Sequence, residues 1–333
     1  MSRIEIRDLD RADEGQIRTF WEVVGESVAV RRYNTWLAWA AARTYLSEPS
    51  NDSESAALCA WEGDRMVAVA SISAPRLDNL HRSSVIVYVL PDRRREGIGS
   101  RLLDGSLQRV RGWDRNVLAT EVYAPVDDES AGLAFARRHG FEVAIEDGMK
   151  IADLQATKDS WPALAAEAAP HHQDYRLVTS WDPMPEELVE GYCRLNTAFF
   201  SLAPTGESDV EDEVWTVDRV RERERRGVQA RRRDLHTMAL DTSGEPVGMT
   251  ELVVNETLAH RVFQSGTLVL PEHQGHRLGL ALKVANHLAL LERFPDAEWI
   301  ITGNADVNAP MNAVNDRLGY RIVERCLEME RTV

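Results

Sequence analysis

The sequence predicts an α/β protein made of two copies of one unit, each a mixed twisted sheet flanked by helices. The chain has 333 residues, which is enough for two domains of ordinary size. The segment VLPDRRREGIGSRLL, from Val89, matches VLPEHQGHRLGLALK, from Val269, at an offset of 180 residues. A second match, His-Gly-Phe from His139 and Leu-Gly-Tyr from Leu318, follows at an offset of 179. Two matches in the same order indicate a duplication.

The elements of the first copy follow from hydrophobic periodicity and turn residues. Residues 62–65 (Glu-Gly-Asp-Arg) are typical of a hairpin turn, and the apolar run 84–90 predicts a buried central strand. Gly140 is typical of a helix end. The predicted strands are 4–7, 56–61, 66–73, 84–90, 117–123 and one from Phe141; the predicted helices are 11–30, 34–46, 98–113 and 129–139.

The second copy repeats this order. Its hairpin has Thr-Ser-Gly-Glu, residues 242–245, at the tip, and helices are expected before and after Pro204. The remaining predicted strands are 175–179, 262–270, 298–302 and a closing strand; the remaining helices are 278–292 and 309–318. Pro162, Pro170 and an Ala-rich stretch predict a linker at 158–173, between domains at 1–157 and 174–333.

Composition and charge narrow the function classes. Apolar residues make up 44% of the chain and charged residues 28%, as in an ordinary folded protein. The formal charge of −15 argues against nucleic acid as a partner and suits cationic or neutral small molecules, although acidity also serves solubility alone. The longest apolar stretch, 85–90, is too short to cross a membrane, and the N-terminus is charged. We therefore expect a cytoplasmic protein with no membrane partner.

Cysteines and histidines give no metal-site pattern. Cys59, Cys193 and Cys326 form no C-x-x-C pair, as expected in a reducing compartment. His273 and His276 are three residues apart, but they lie in a loop and lack a third ligand, so capping or a phosphate contact is favoured. We predict no metal.

The loop between the central strand and the next helix has the chemistry of an anion site. In the first copy it contains Arg94, Gly97 and Gly99 in an Arg-x-x-Gly-x-Gly pattern. Such a loop directs backbone N–H groups and the positive end of a helix dipole toward one point, and arginines add charge. The pattern is neither a Walker loop nor a dinucleotide fingerprint. The alternative is a simple tight turn.

In its context this loop resembles the acetyl-CoA site of the GNAT N-acetyltransferase superfamily, whose pattern is Gln/Arg-x-x-Gly-x-Gly/Ala. The resemblance spans both copies and implies two tandem GNAT domains that use acetyl-CoA as acyl donor. It implies a set of cofactor-binding residues on the central strands, the loops and one later helix. These are Val87, Val89, Arg94, Arg95, Glu96, Gly97, Ile98, Gly99, Ser100, Leu268, Val269, Gln274, Gly275, His276, Arg277, Leu278, Gly279 and Asn308.

The copies depart from this pattern differently. In the second copy Arg277 replaces the middle glycine, which we expect to crowd the turn, although a guanidinium can itself pair with phosphate. The family often has an Asn followed seven residues later by a Tyr. The second copy keeps Asn308 but has Asn315, and the first has Glu129 and Ala136. The family tyrosine is therefore missing from both copies.

The resemblance implies direct attack of a neutral amine on the thioester, with a base, an oxyanion donor and an acid. The backbone N–H groups near Val89 and Val269 are the oxyanion candidates. The candidate acid is Tyr123 or a water molecule, and the alternative is that the thiolate leaves without an acid. Glu251 is a candidate base, and the alternative is that it is an exposed strand carboxylate without a catalytic role. The partner is then a small-molecule or peptide amine, and the C-terminal copy is favoured for the chemistry. The competing hypotheses are a decayed acyl-CoA-binding or regulatory protein and a nucleotide-binding protein.

Overall fold

The computed structural model describes residues 3–202, 206–305 and 307–333, without the side chain of Phe200. Its backbone contacts define two compact units, and neither is continuous in sequence. Unit 1 consists of Met1–Ile145, Gly206–Glu211 and Leu327–Val333. Unit 2 consists of Glu146–Thr205 and Asp212–Cys326.

The sheet of unit 1 begins with antiparallel strands and ends with parallel ones. The order β1-β2-β3-β4 is antiparallel, and β4 pairs with β5 in parallel. The hairpin predicted at 62–65 is confirmed, with Gly63 in the left-handed region. The strands are β1 (Ile4–Asp8), β2 (Ser53–Glu62), β3 (Arg65–Pro75), β4 (Arg82–Val89) and β5 (Val117–Ala124).

Helices cover both faces of this sheet. The helices are α1 (Glu14–Val28), α2 (Trp39–Ser47), α3 (Ile98–Gly112) and α4 (Ala131–Arg138). Asp13 caps α1 and Ser130 caps α4, so both helices begin later than predicted. One apolar core joins the sheet to α3 and α4, and a second joins it to α1 and α2.

The closing strand of unit 1 comes from the far end of the chain. The strand β6 (Glu142–Asp153), which follows α4, enters unit 2 from Glu146 onward. In unit 1 the place beside β5 is taken by residues from Leu327 onward, part of β12 (Tyr320–Thr332). Leu327 and Met329 lie in the core with α3 and α4. The predicted domain boundaries at 157 and 174 follow the sequence repeat and stay a prediction. The compact units divide the chain at other residues, because most of β6 belongs to unit 2 and the end of β12 belongs to unit 1.

Unit 2 has the strand order β6-β11-β10-β9-β8-β7. Its strands after β6 are β7 (Arg176–Trp181), β8 (Arg232–Leu240), β9 (Pro246–Asn255), β10 (Arg261–Val269) and β11 (Trp299–Ala305). Its helices are α5 (Leu154–Thr157), α6 (Trp161–Ala168), α7 (Glu186–Leu202), α8 (Val217–Gln229), α9 (Leu278–Arg293) and α10 (Ala309–Arg317). The helices expected around Pro204 are α7 and α8, although Pro204 itself lies outside the described residues.

The segment predicted as a linker, 158–173, is a folded part of unit 2. It contains α6, whose Trp161 is fully buried and packs on His287 with the ring centres 5.0 Å apart and the ring planes tilted by 50°. Trp161 and the small alanines give α6 an apolar face that packs into the core with α9. Among the described residues, no helix has the length and apolar character needed to cross a bilayer.

Candidate functional site

In each unit the two parallel strands separate toward their carboxyl ends. The strands β4 and β5 pair from Arg82 with Val117 to Ser84 with Ala119, and then continue to Val89 and Ala124. In unit 2 the pairing of β10 with β11 likewise covers three residues, from Arg261 to Phe263. A cleft therefore opens between two strands in each unit, at the edge where the motif loop begins.

The central strands of the two units differ in one respect. In unit 2, Gln264 pairs with Leu252 and Thr267 with Thr250, so Ser265 and Gly266 lie opposite Glu251 alone. This is a β-bulge, which interrupts the ladder and bends the strand. In unit 1 the pairing of β3 with β4 runs without a shift from Ala68 and Val89 to Ser73 and Ser84. The extra residue explains why the repeat offset changes from 179 at Arg82 and Arg261 to 180 at Val89 and Val269.

The two motif loops share one backbone conformation. Each loop has two left-handed positions, Arg95 and Gly97 in the first copy and Gly275 and Arg277 in the second. Arginine and glycine have therefore exchanged places between equivalent positions. Arg277 adopts φ of 52° where Gly97 has 79°, so the turn keeps its backbone conformation with arginine at this position. The expectation that Arg277 crowds a bound pyrophosphate stays a prediction. A left-handed non-glycine residue costs about 1 kcal/mol or more, so this conformation is held by the surrounding fold.

Side chains of the loops are largely engaged with the protein itself. Arg94 Nε donates to the carbonyl of Val89 at 3.1 Å, and its NH2 donates to the carbonyl of Ser27 at 2.9 Å. In the second copy Gln274 Nε2 donates to the carbonyl of Val269 at 3.1 Å. These first motif residues thus tie each loop to the end of its central strand. The charge near a bound phosphate must then come from other groups.

Arg277 points toward α6 rather than along the loop. Its guanidinium pairs with Glu167, which also pairs with Arg317. These two arginines lower the pKa of the Glu167 carboxyl, Arg317 more strongly than Arg277. The possibility that Arg277 pairs with a phosphate requires it to leave this ion pair.

We expect Arg277→Gly to keep acetyl-CoA binding within about threefold and to change the free energy of unfolding by less than about 1 kcal/mol. Glycine relieves the left-handed backbone, while the exposed pair with Glu167 contributes little. Isothermal calorimetry and urea unfolding measure the two quantities, with Arg317→Gly, a helical position, as the control that loses about 1 kcal/mol. A tenfold loss of binding in Arg277→Gly would instead assign the guanidinium to the cofactor.

The helices that follow the loops leave their first N–H groups without a side-chain cap. Gly97 and Arg277 stand at the N-cap positions of α3 and α9, and neither supplies a capping side chain. By contrast α1, α4, α8 and α10 are capped by Asp13, Ser130, Thr216 and Asn308. Two uncapped helix N-termini at equivalent positions suit a pyrophosphate better than a plain turn does.

The structure assigns contacts to most other predicted cofactor residues. Ile98 and Leu278 are buried anchors of their helices, and Leu268 is buried below the second cleft. Ser100 Oγ lies 3.0 Å from His139 Nε2. Glu96 pairs with Arg93. Val87 and Val89 pack against the first core, Gly99 and Gly279 lie in the first turns of α3 and α9, and Val269 packs against a core that includes Leu278.

Two predicted residues have clear local roles. Asn308 Oδ1 accepts a hydrogen bond from Met311 N at 3.3 Å and so caps α10. His273 Nδ1 lies 3.0 Å from the Tyr175 hydroxyl, and the ring of His276 packs on the same tyrosine. This explains the His273 and His276 spacing by packing. The cofactor roles of Asn308 and His276 stay predictions.

Glu251 is buried, so the alternative of an exposed strand carboxylate is wrong. It is 5% exposed and lies opposite the bulge of β10. The Tyr192 hydroxyl donates to Oε2 at 2.5 Å, Arg223 pairs with Oε1, and His236 Nδ1 lies 3.3 Å from Oε2. Burial raises the pKa of Glu251, but Arg223, His236 and Tyr192 outweigh it and hold that pKa well below its usual range. An ionised, fully engaged carboxylate is a poor proton acceptor.

The same cluster extends to β8. His236 Nε2 lies 3.4 Å from Asp182 Oδ1. Burial lowers the pKa of His236, while Asp182 and Glu251 raise it to about 9. Asp182, Asp234 and His236 bring their ligand atoms within 4.8 Å of one another, but Asp234 already pairs with Arg223 and Arg232. Two guanidinium groups take the place that a cation needs, so we propose no metal here.

Tyr123, the candidate acid, lies on β5 of unit 1 with the guanidinium carbon of Arg31 3.6 Å from its ring centre. Its role stays a prediction. Sequence reasoning missed Tyr192, Arg223, His236 and Gln264, because each is an ordinary residue in its own element. The one available signal was the change of repeat offset between Arg261 and Val269, which marks the inserted residue of the bulge.

Comparisons with known proteins agree with this architecture. Residues 53–143 match the family model described as an acetyltransferase (GNAT) domain. A tandem GNAT protein from the clavulanic acid biosynthesis pathway, solved without AcCoA, superposes with a TM-score of 0.82 at 22% identity over 99% of this chain and 98% of that one. Residues 53–143 thus resemble a GNAT acetyltransferase domain, and the chain as a whole shares the fold of that tandem GNAT structure. The description of the matched domain supports an acyltransferase activity.

Two further solved structures share the fold. The GCN5-related N-acetyltransferase from Sphaerobacter thermophilus has a TM-score of 0.64 at 14% identity, covering 99% of this chain and 95% of that one. The GCN5-related N-acetyltransferase from Kribbella flavida has a TM-score of 0.51 at 15% identity, covering 99% and 71%. No curated protein matches the sequence. These tandem GNAT likenesses establish the fold and leave the acceptor to be found by experiment.

Proposed function

We propose that this acyltransferase moves the acetyl group of acetyl-CoA to a primary amine of a small molecule or peptide, and that the C-terminal copy performs the chemistry. The observation that carries the proposal is the bulge of β10 at Ser265 and Gly266, beside the cleft between β10 and β11. A bulge disrupts the regular ladder, so backbone N–H groups there can be directed toward a developing oxyanion. The regular β4 strand of the first copy offers no such interruption.

The donor side of the site rests on the motif loops. The uncapped N-termini of α3 and α9 and the left-handed loop positions would hold the pyrophosphate. Both copies share this geometry, so both are proposed to bind acetyl-CoA. The neutral amine attacks the carbonyl carbon, the carbon–sulfur bond breaks, the nitrogen releases one proton, and coenzyme A leaves as a thiolate that takes up a proton.

The acceptor side of unit 2 is aromatic. The Phe199 ring lies against Gly266, where an added Cβ would come within 3.1 Å of it. Tyr192 and Trp215 follow, with ring centres 6.3 Å apart. Because Glu251 is held ionised next to the bulge, we assign it an anchoring role for this wall, in place of the role of base. A decayed, binding-only role fits the first copy, whose central strand is regular.

The test compares Gly279→Glu with Gly99→Glu. A Cβ at Gly279 lies 3.9 Å from Val314 and one at Gly99 lies 3.4 Å from Phe135, so both sites accept a side chain, and Gly279→Ala and Gly99→Ala serve as folding controls. A carboxylate at a helix N-terminus repels the phosphate. We expect Gly279→Glu to lose at least tenfold in coenzyme A thiol release with a panel of amines, and Gly99→Glu to retain most of it.

The opposite pattern would place the chemistry in the N-terminal copy. Absence of thiol release with every amine, together with acetyl-CoA binding by calorimetry, would favour the binding-only protein. Unchanged acetyl-CoA binding in the Gly99→Glu, Gly279→Glu double variant would reject the loops as the cofactor sites.

A further inference from the structure

A buried polar side chain supports the bulge of β10. Gln264, 7% exposed, is the last paired residue before the bulge. Its Nε2 lies 2.7 Å from the carbonyl oxygen of Glu251, 3.0 Å from Thr250 Oγ1 and 3.3 Å from the carbonyl oxygen of Ser265. The Glu251 carbonyl is the backbone group that faces two residues in place of one. The glutamine amide thus supplies a donor where the ladder is interrupted.

The glutamine is held in turn from α9 and β12. Its Oε1 lies 3.4 Å from Nε2 of His287, and that nitrogen lies 3.2 Å from the Tyr320 hydroxyl. His287 is fully buried on α9, the helix that carries the second motif loop at its N-terminus. Burial, followed by the charge of Lys283, lowers the pKa of His287 well below its usual range, so its ring is neutral. Gln264 Oε1 only accepts, so it requires the proton on Nε2.

The first copy provides an internal comparison. The repeat offset pairs each residue of this polar group with a residue of unit 1. The offset is 180 on β9 and α9, and 179 before the bulge and at Tyr320. Thr250, Gln264, His287 and Tyr320 correspond to Ala70, Val85, Leu107 and Phe141. All four of the latter lie in one apolar core. In unit 1 these positions are apolar and β4 is regular, whereas in unit 2 they are polar and β10 has a bulge.

An apolar core is the simpler solution for stability. Burying an amide, an imidazole and hydroxyls costs free energy unless every group finds a partner, and the net gain of each hydrogen bond is small. The homologous unit of the same chain folds with alanine, valine, leucine and phenylalanine at these positions. We therefore expect Thr250, Gln264, His287 and Tyr320 of unit 2 to stabilise the conformation of β10 beside the cleft.

We propose that Gln264 is a positioning residue that holds the β10 bulge in its active conformation, with His287 orienting its amide. The proposal rests on the proposed function in one respect, since its kinetic consequence needs chemistry in the C-terminal copy. Gln264 is buried, and its hydrogen bonds go to groups of the protein itself. It acts through the backbone at Glu251, Ser265 and Gly266, where the proposed function places the oxyanion donor in place of the N–H near Val269.

The test variant is Gln264→Leu, which keeps the side-chain volume and removes the amide. We expect kcat to fall about 10- to 100-fold, as for loss of an aligned oxyanion donor, with KM for acetyl-CoA within twofold. Amide hydrogen exchange at Ser265 and Gly266 should rise at least tenfold. His287→Leu, which installs the residue of the first copy, should give the same pattern in weaker form.

Asn286→Ser is the matched control. Asn286 is fully buried on the same helix and donates to the carbonyl of Leu235 at 3.0 Å and to Thr237 Oγ1 at 3.1 Å. Its longest hydrogen bond, 3.4 Å, goes to the carbonyl of Thr250, and none of these three bonds goes to Gln264. It should lose stability comparably while kcat and the exchange at Ser265 and Gly266 stay within twofold. Unchanged exchange at the bulge in Gln264→Leu would overturn the proposal, as would raised exchange with unchanged kcat. A wild-type protein without turnover would refute the proposed function, and the exchange measurement would still decide whether Gln264 holds the bulge.

Discussion

Replacing Arg82 by Ala should release the C-terminal strand segment of unit 1, at a cost of about 3–5 kcal/mol in local stability. Arg82 is 8% exposed, and its guanidinium pairs with Glu330 at 2.6 Å and with Glu328 at 2.8 Å. It also donates to the carbonyl of Asp209 at 2.6 Å. Truncation removes the cation and leaves two carboxylates facing each other, one of them largely buried. Burial of that unpaired charge accounts for most of the expected loss of stability.

Hydrogen exchange measures this effect locally. Amides of residues 327–332 should exchange at least a hundredfold faster in Arg82→Ala than in the wild type. Arg65→Ala is the control, because its pair with Asp92 at 3.0 Å is more than half exposed on both sides and such pairs contribute about 0–1 kcal/mol. Equal effects of the two substitutions would show that Arg82 does not hold the segment.

Acid should have the same effect as this substitution. Burial raises the pKa of Glu330, but Ser208, Arg82 and the Asp209 N–H lower it further, so the net shift is downward. A carboxyl whose folded pKa is depressed contributes stability above its unfolded pKa and loses it as pH falls through the folded pKa. The protection factors of the amides in residues 327–332, which correct for the slower intrinsic exchange in acid, should therefore fall at acidic pH in the wild type and change less in Arg82→Ala.

The repeat, the hairpins and the motif helices were predictable because each follows from a local pattern. Alternation, helical spacing and turn residues belong to one element at a time, and α3 and α9 begin where the motif indicated. The strand exchange was not predictable in this way. Strand β6 has the same local pattern whether residues from Glu146 onward close unit 1 or unit 2, and the choice depends on pairing far away in sequence.

For the candidate site, too, the sequence predicts single elements but not the contacts between them. The sequence placed Glu251 on a hairpin strand, and the structure confirms that placement. Its burial depends on Tyr192 from α7 and Arg223 from α8, which sequence reasoning left outside the site. Arg277 is expected to crowd the loop because a Cβ obstructs the close approach of a phosphate to the backbone. The structure shows that Arg277 and, in the first copy, Arg95 both occupy left-handed positions, so the loop backbone accepts arginine at either place.

Replacing Lys283 by Met should remove a strong pH dependence from the stability of unit 2. Lys283 is 1% exposed, its Nζ donates to Asn315 Oδ1 at 2.6 Å, and it lies 4.8 Å from the ring centre of Tyr320. Burial, and secondarily the charge of Lys150, lowers its pKa from 10.5 to about 7. Lys150 itself donates to Asn304 Oδ1 at 3.0 Å. No carboxylate is among these contacts, which explains the direction of the shift.

The sign of the pH dependence follows from proton binding. Between pH 7 and pH 10.5 the unfolded chain keeps a proton on Lys283 that the folded unit has released, so stability rises with pH across this window. At pH 7 and below, the penalty is on the order of 4 kcal/mol. The first copy has Leu103 at the aligned position, buried in an apolar core, which shows that the unit folds without the lysine.

Urea unfolding of the wild type and of Lys283→Met, followed by circular dichroism from pH 6.5 to 9.5, tests this expectation. From pH 6.5 to pH 9.5 the unfolding free energy of the wild type should rise by roughly 3 kcal/mol relative to that of Lys283→Met. The methionine variant has no group at this position that releases a proton on folding. Leu103→Met places the same side chain at the aligned position of the first copy and should give a difference that is independent of pH. A flat difference for Lys283→Met as well would mean that Lys283 keeps its proton in the folded unit, paired through Asn315, at every pH in the range.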